Sequence, residues 1–256
     1  MKHSFGRTTS PIAAVVVVAS LLTTACTAGQ GAASPIPAST TRASTPPPAA
    51  TLTPMPSPIS LPLNPQELTV TEPGTYLAGD PFQIPMTMTV PAGWVGKVGG
   101  PYAAYLDKAG SENGGAGIVL SLSQTIYANP CHDRGFLAPQ PGPTVDAFAA
   151  ALARLPGFVA TTPTEAAIDG YSGKQLTLTA PASFAACTLS SDGYRLWQLP
   201  LGGIFAFTPG QRMTLRIVDV DGKRLVVSSA TYPATNAQDL AEVQEILNSI
   251  RVKKNS

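Results

Sequence analysis

Two alternating runs meet at Asp221-Gly222, and this hairpin constrains the chain more than any other feature. Met213-Thr214-Leu215-Arg216-Ile217-Val218-Asp219-Val220 precede the dipeptide, and Lys223 to Tyr232 follow it. Asp-Gly suits a two-residue turn because both central positions need positive φ. An antiparallel pair this long must bury one face, so the remainder of the chain has to supply further strands and a covering layer. Strand patterns run through Phe82 to Val90, Pro101 to Leu106, and Ile118 to Ser123, the last continuing into Ile126 and Tyr127. Pro91-Ala92-Gly93-Trp94 reads as a turn, as does the Gly-rich segment at Asn113-Gly114-Gly115. Later strands fall at Phe158 to Thr161, Glu165 to Ile168 and Lys174 to Thr179, with Asp169-Gly170 joining the last two. Tyr194 to Leu199 and Ile204 to Phe207 complete the set.

Two segments switch to helical spacing. Thr144 caps a helix with Val145, Phe148, Ala149, Leu152 and Leu155 on one face, and Pro156-Gly157 stops it. Thr235 and Gln238 form a capping box before a second helix carrying Leu240, Val243, Leu247 and Ile250, with Arg251-Val252 as a short closing strand. Helices do not alternate with strands, which excludes a parallel α/β arrangement. The expectation is an α+β fold, a twisted and mostly antiparallel sheet of about nine strands with two helices packed on it and one disulfide.

That domain occupies residues 66–256. The segment before it cannot fold in the same way. Residues 27–65 hold ten of the 26 prolines and one charge, Arg42, amid Ala, Ser and Thr. Such a composition buries too little apolar surface to offset ordering entropy, so residues 26–65 read as a disordered tether. Residues 1–25 read as an export signal: Lys2 and Arg7 are followed by an apolar core from Ile12 to Leu22, then by Thr23, Thr24 and Ala25. The stretch is short for a membrane span. Leu22-Thr23-Thr24-Ala25-Cys26 resembles a bacterial lipobox, with Ala25 matching and Thr23 standing where the motif prefers Leu. The resemblance implies a lipid-bearing Cys26 at the outer face of the cell membrane; secretion without an anchor is the alternative. Of three cysteines, acylation of Cys26 leaves Cys131 and Cys187 to pair in an oxidising compartment.

Val90-Pro91-Ala92-Gly93-Trp94, the Gly170-Tyr171-Ser172-Gly173 turn and the terminal hairpin, helix and Ser249-Ile250-Arg251 resemble actinobacterial exported lipoproteins with a PsbP-like α/β/α fold. Asn129-Pro130-Cys131 with a later Cys is similar to the same group. The resemblance spans about residues 80–252 and implies a binding or assembly role without catalysis.

Charge excludes some partners. Without Lys2 and Arg7 the chain has 14 basic and 15 acidic residues, and only Lys253-Lys254 cluster. Nucleic-acid binding needs a concentrated positive face that this chain lacks. A catalytic triad would depend on His132, the one histidine outside the leader, in Cys131-His132-Asp133-Arg134; a solvated loop beside a staple accounts for it better. Zinc lacks ligands, and Asp219-Val220-Asp221-Gly222 is a hairpin turn rather than a calcium loop. No cofactor is expected. Trp94, Tyr171 and Trp197 are candidates for lining a ligand groove, with core packing as the plainer account. The functional expectation is a non-enzymatic surface lipoprotein that binds an envelope component, a small apolar ligand or an envelope protein; an exported hydrolase is the alternative.

Overall fold

Strand alternation decides the layers, because side chains at successive positions point to opposite faces of a sheet. The computed structural model describes residues 56–108, 115–122, 124–132, 135–188 and 194–253. The leader, Cys26 and the tether as far as residue 55 lie outside the described residues, as do Asn113, Gly114, Asp133 and Arg134. In chain order the strands β1 (Ile59–Ser60), β2 (Leu68–Thr69), β3 (Gly74–Ala78), β4 (Met86–Val90), β5 (Trp94–Val98), β6 (Ala103–Lys108), β7 (Ala116–Leu122) and β8 (Thr125–Ile126) precede helix α1 (Val145–Leu152). Then come β9 (Val159–Ala160), β10 (Thr164–Ile168), β11 (Tyr171–Thr179), β12 (Tyr194–Gln198), β13 (Ile204–Phe207), β14 (Arg212–Val220) and β15 (Lys223–Thr231). Helix α2 (Ala237–Ser249) and β16 (Arg251–Val252) close the chain.

The main sheet has nine strands in the order β10-β11-β14-β15-β7-β6-β5-β2, with β9 added beside β11. Its pairs are antiparallel. Adjacent residues of β15 report the consequence: Leu225 and Val227 face one core and Val226 the other, each at most 1% exposed. The first core is closed by α2, through Val243, Ile246, Leu247 and Ile250, and by the small sheet β1-β3-β4-β16. The second is closed by α1, through Phe148, Ala149 and Leu152, and by β13-β12-β8. The α+β fold is as expected, with one helix on each side of the sheet.

The β14–β15 turn holds Asp221 at φ 51° and Gly222 at φ 80°, and Asp219 Oδ1 accepts the Gly222 amide at 2.7 Å. That carboxylate is therefore committed to the turn. The Asp169-Gly170 turn repeats the pattern at φ 48° and 85°.

Four local details differ from the sequence expectation. Order begins before residue 66: Ile59–Ser60 pairs in parallel with β3, and Leu61 is buried. Trp94 opens strand β5 instead of ending a turn. Asn236, not Thr235, caps α2 by accepting the Asp239 amide at 2.8 Å, while Gln238 reaches along the helix to Glu242. Thr235 is used elsewhere, accepting the Tyr232 amide and donating to the Gly115 carbonyl. Finally, the inward stripe of α2 is Val243, Ile246, Leu247 and Ile250, which leaves Leu240 exposed.

One polar cluster ties α2 to the sheet. Trp94 Nε1 donates to Glu242 Oε2 at 2.8 Å, Lys108 pairs with the same carboxylate, and Gln238 donates to its other oxygen at 2.9 Å. Asp239 lies 3.7 Å from the Lys108 ammonium. Burial alone would raise the Glu242 carboxyl, but hydrogen bonds from Lys108, Trp94 and Gln238 and the Lys108 charge outweigh it, so the pKa falls below its ordinary 4.5.

Two predictions follow from these contacts. A carboxyl with a depressed folded pKa contributes stability above its unfolded value, and loses it as pH drops through the folded value. Wild type should therefore lose stability below about pH 4.5 more steeply than Glu242→Gln, which should be less stable by about 1–2 kcal/mol at neutral pH. Urea midpoints across pH 3–7 check this, and parallel curves would refute it. Separately, a Cβ at Gly173 would lie 1.9 Å from the Ile217 carbonyl oxygen across the β11–β14 pair. Gly173→Ala should cost at least about 3 kcal/mol in the same assay.

Candidate functional site

Between α1 and the chain that follows β8 runs a groove of about 410 Å³. Its helical wall is Ala147, Ala150, Ala151 and Arg154, spaced three and four residues apart and so stacked along one side of α1 and its terminal turn. Thr144 starts this helix, as expected, by accepting the Ala147 amide at 3.2 Å. The helix ends at Leu152, before Pro156-Gly157, with the Ala153 amide closing onto the Ala149 carbonyl. Phe148, Ala149, Leu152 and Leu155 anchor its inner side in the core.

The opposite wall is Leu137-Ala138-Pro139-Gln140-Pro141, with Ala128 beside it. Backbone that cannot join a ladder needs other partners, and Gln140 supplies them. Its Oε1 accepts the Ile126 amide at 2.9 Å, and its Nε2 donates to the carbonyls of Ile126 (2.8 Å) and Leu137 (2.7 Å). The Leu137 amide donates to Ile126, and Phe136 packs on Tyr127 with ring centroids 4.9 Å apart. This wall is thus fixed to β8, and β8 to β12.

The Cys131–Cys187 disulfide has formed as expected and joins the start of this wall to the segment before β12, with Cα atoms 4.8 Å apart. Cys131 takes its place through Asn129, whose Oδ1 accepts the Cys131 amide at 3.0 Å. His132 sits beside the bridge, its Nδ1 2.8 Å from Thr188 Oγ1, and is not among the residues that line this groove.

The groove walls carry methyls, prolines and leucines, with one committed amide and one cation, the exposed Arg154. Among the described residues their lining holds no carboxylate, imidazole, thiol or hydroxyl. What such a surface does well is exclude water from an apolar ligand while one guanidinium meets an anionic end.

Trp94, Tyr171 and Trp197 do not meet in a groove. Trp94 is fully buried in the α2-side core, with Tyr171 partly buried against that same core. Trp197 is fully buried in the α1-side core, stacked on Phe205 at 4.7 Å. Both indoles serve packing. In the sequence, Ala147, Ala150 and Arg154 make an almost uncharged strip along α1, and that strip lines the groove. Among the described residues no group of three His, Cys, Asp or Glu converges as a metal site would need, and no helix is long and apolar enough to cross a membrane.

No family model and no curated protein matches the sequence. Among solved structures, similarity extends to LpqN of Mycobacterium tuberculosis, described as involved in cell envelope biogenesis. Identity is 15%, with 71% of this chain and 92% of that one covered, at a TM-score of 0.40. The Ran-binding protein Mog1p of Saccharomyces cerevisiae is 11% identical over 71% of this chain and 96% of its own, at a TM-score of 0.37. A Pseudomonas aeruginosa protein, PA94, is 16% identical over 72% and 99%, at a TM-score of 0.32. At these levels the likenesses carry no functional inference.

Proposed function

We propose that this chain is an exported lipoprotein whose folded domain binds a small apolar ligand, one bearing an anionic group, at the outer face of the cell membrane. The groove between α1 and residues 137–141 carries this reading. Its volume of about 410 Å³ falls in the range of small-molecule sites, about 300–1,000 Å³. Its lining is apolar save for Arg154 at one end, and Gln140 and the Cys131–Cys187 bridge hold the loop wall before a ligand arrives. A wall already in place reduces the ordering cost of binding. A binding role without chemistry also agrees with the resemblance to exported PsbP-like lipoproteins and with the make-up of the groove.

Export and anchoring rest on the sequence: the basic start, the apolar core and the lipobox-like ending at Cys26. The Pro/Ser/Thr/Ala-rich composition that follows Cys26 supports a tether with reach enough to clear the lipid headgroups. An amphiphile taken from or delivered to the bilayer lies within that reach.

Two experiments test these parts separately. Expressed in a bacterial host with its leader, the wild-type chain should partition into the detergent phase of Triton X-114, and Cys26→Ala should move it to the aqueous phase. Equal partitioning of both would remove the anchor. For the groove, decanoate titrated by calorimetry should bind the wild type saturably. Ala150→Phe, which fills the groove from a helix position, should weaken binding by at least about tenfold with an unchanged melting temperature. Arg154→Gln should weaken decanoate several-fold and leave decanol unaffected. Wild-type affinity in Ala150→Phe would overturn the assignment.

A further inference from the structure

A second concavity lies on the same side of the main sheet as α1 but shares no lining residue with the groove. Cross-strand register places Asp107, Gly117, Ala230 and Met213 in one row across β6, β7, β15 and β14. The two small residues in the middle of that row leave a trough, and Phe205 and Ala206 of β13 lie alongside it. Val119, Gln211 and Tyr232 complete a cavity of about 180 Å³.

Asp107 is exposed at the rim of this trough, and its carboxylate lies over Gly117. Its Oδ1 is 2.8 Å from where a Cβ on Gly117 would sit, so the glycine is what admits it. Lys97, whose charge acts on Asp107, is itself paired with Glu67. Among the described residues no hydrogen bond or ion pair reaches Asp107. Burial raises the Asp107 carboxyl, the Lys97 charge pulls it back only in part, and Glu67 pushes it up again. The buried Gln211 is satisfied by the Thr208 amide (2.9 Å) and by Tyr232, whose phenolic oxygen accepts at 3.3 Å and keeps its own proton to donate.

We propose that this trough is a binding site for a primary alkylammonium group, with Asp107 taking the charge and Val119, Ala230, Met213 and Phe205 enclosing the alkyl stem. A single carboxylate oxygen suits a compact ammonium better than a planar guanidinium, which needs both oxygens of the partner presented together. An ammonium on a slim alkyl chain also matches the small volume and the largely apolar side chains of these walls. Such a cation is found on free amines and on lysine side chains of a protein or peptide.

The test is titration of the purified protein by two-dimensional NMR with pentylamine and with Nα-acetyl-lysine methylamide, using pentanol as the neutral control. Saturable shifts should appear at Gly117 and Ala230 with dissociation constants near or below about 1 mM. Asp107→Asn should weaken either ligand by at least about tenfold, and Ala230→Leu should do the same by filling the trough. Tighter binding of the blocked lysine supports the site and places the cation on a polypeptide; tighter pentylamine supports it and places the cation on a free amine. Pentanol binding as well as the amines, undiminished binding in Asp107→Asn, or no saturable shift would overturn it.

Discussion

A sheet buried on both faces is the constraint from which everything else in this domain follows. Strands β14, β15 and β7 carry apolar side chains at odd and even positions alike: Leu215 and Ile217 on one face, Val218 and Val220 on the other, with Leu225 and Val226 divided between the two. A hairpin with only one apolar face could have faced water. This one cannot, so each face needs a cover. Helix α2 with the small four-stranded sheet serves one face, and α1 with β8, β12 and β13 serves the other. At about 25 cal/mol per Å² of apolar surface removed from water, the two interfaces dominate the stability of the domain. The polar cluster at Glu242 then orients α2 on its side, where Trp94 needs an acceptor for a buried indole N–H.

How much of this was legible depended on how local each signal was. The β14–β15 hairpin, the Asp169-Gly170 turn and both helices are written in contiguous residues, and each was found. Strand β5 was missed because Gly96 breaks its pattern. A Cβ there would lie 2.7 Å from Leu61 and 2.9 Å from Leu106, so the glycine exists to admit side chains from elsewhere. Leu61 itself reads as tether, since prolines surround it and its partner strand β3 lies 17 residues away in the register Ile59↔Tyr76. The two errors have one cause, a contact between segments that local composition cannot reveal. The shift of the α2 cap from Thr235 to Asn236 is a smaller case: either side chain can cap, and Thr235 was needed by Tyr232 and Gly115.

The groove beside α1 is harder to read from sequence because small apolar residues build most of it. Aromatic residues drew attention as ligand contacts, yet Trp94 and Trp197 are the largest side chains available to fill two separate cores. The groove is instead built from alanines on α1, whose small size creates the space, and from prolines, which have no N–H in need of an acceptor. Neither residue type stands out in a chain rich in both. Cys131 and Cys187 were recognised by counting, but counting gives a bridge and not its purpose. In place, it pins the start of the loop wall that Gln140 pins near the other end.

The two concavities share a structural origin. The face under α2 is closed across its width, from Ile168 and Val218 through Leu120 to Leu106 and Trp94. On the opposite face α1 and the β8-β12-β13 sheet bury Leu176, Leu215 and Ile217, while Val95, Lys97, Tyr105 and Val119 remain half-buried. Cover over these central strands is thus partial on this side. The groove lies where the cover meets the loop after β8, and the trough lies where β13 ends over Gly117 and Ala230. The same boundary explains why Asp107 is tolerated: it lies far enough out to stay hydrated at one edge, and far enough in that a ligand cation would meet it partly desolvated, where attraction between charges is stronger than in open water. A domain that closed this face as fully as the other would gain apolar burial and lose both sites.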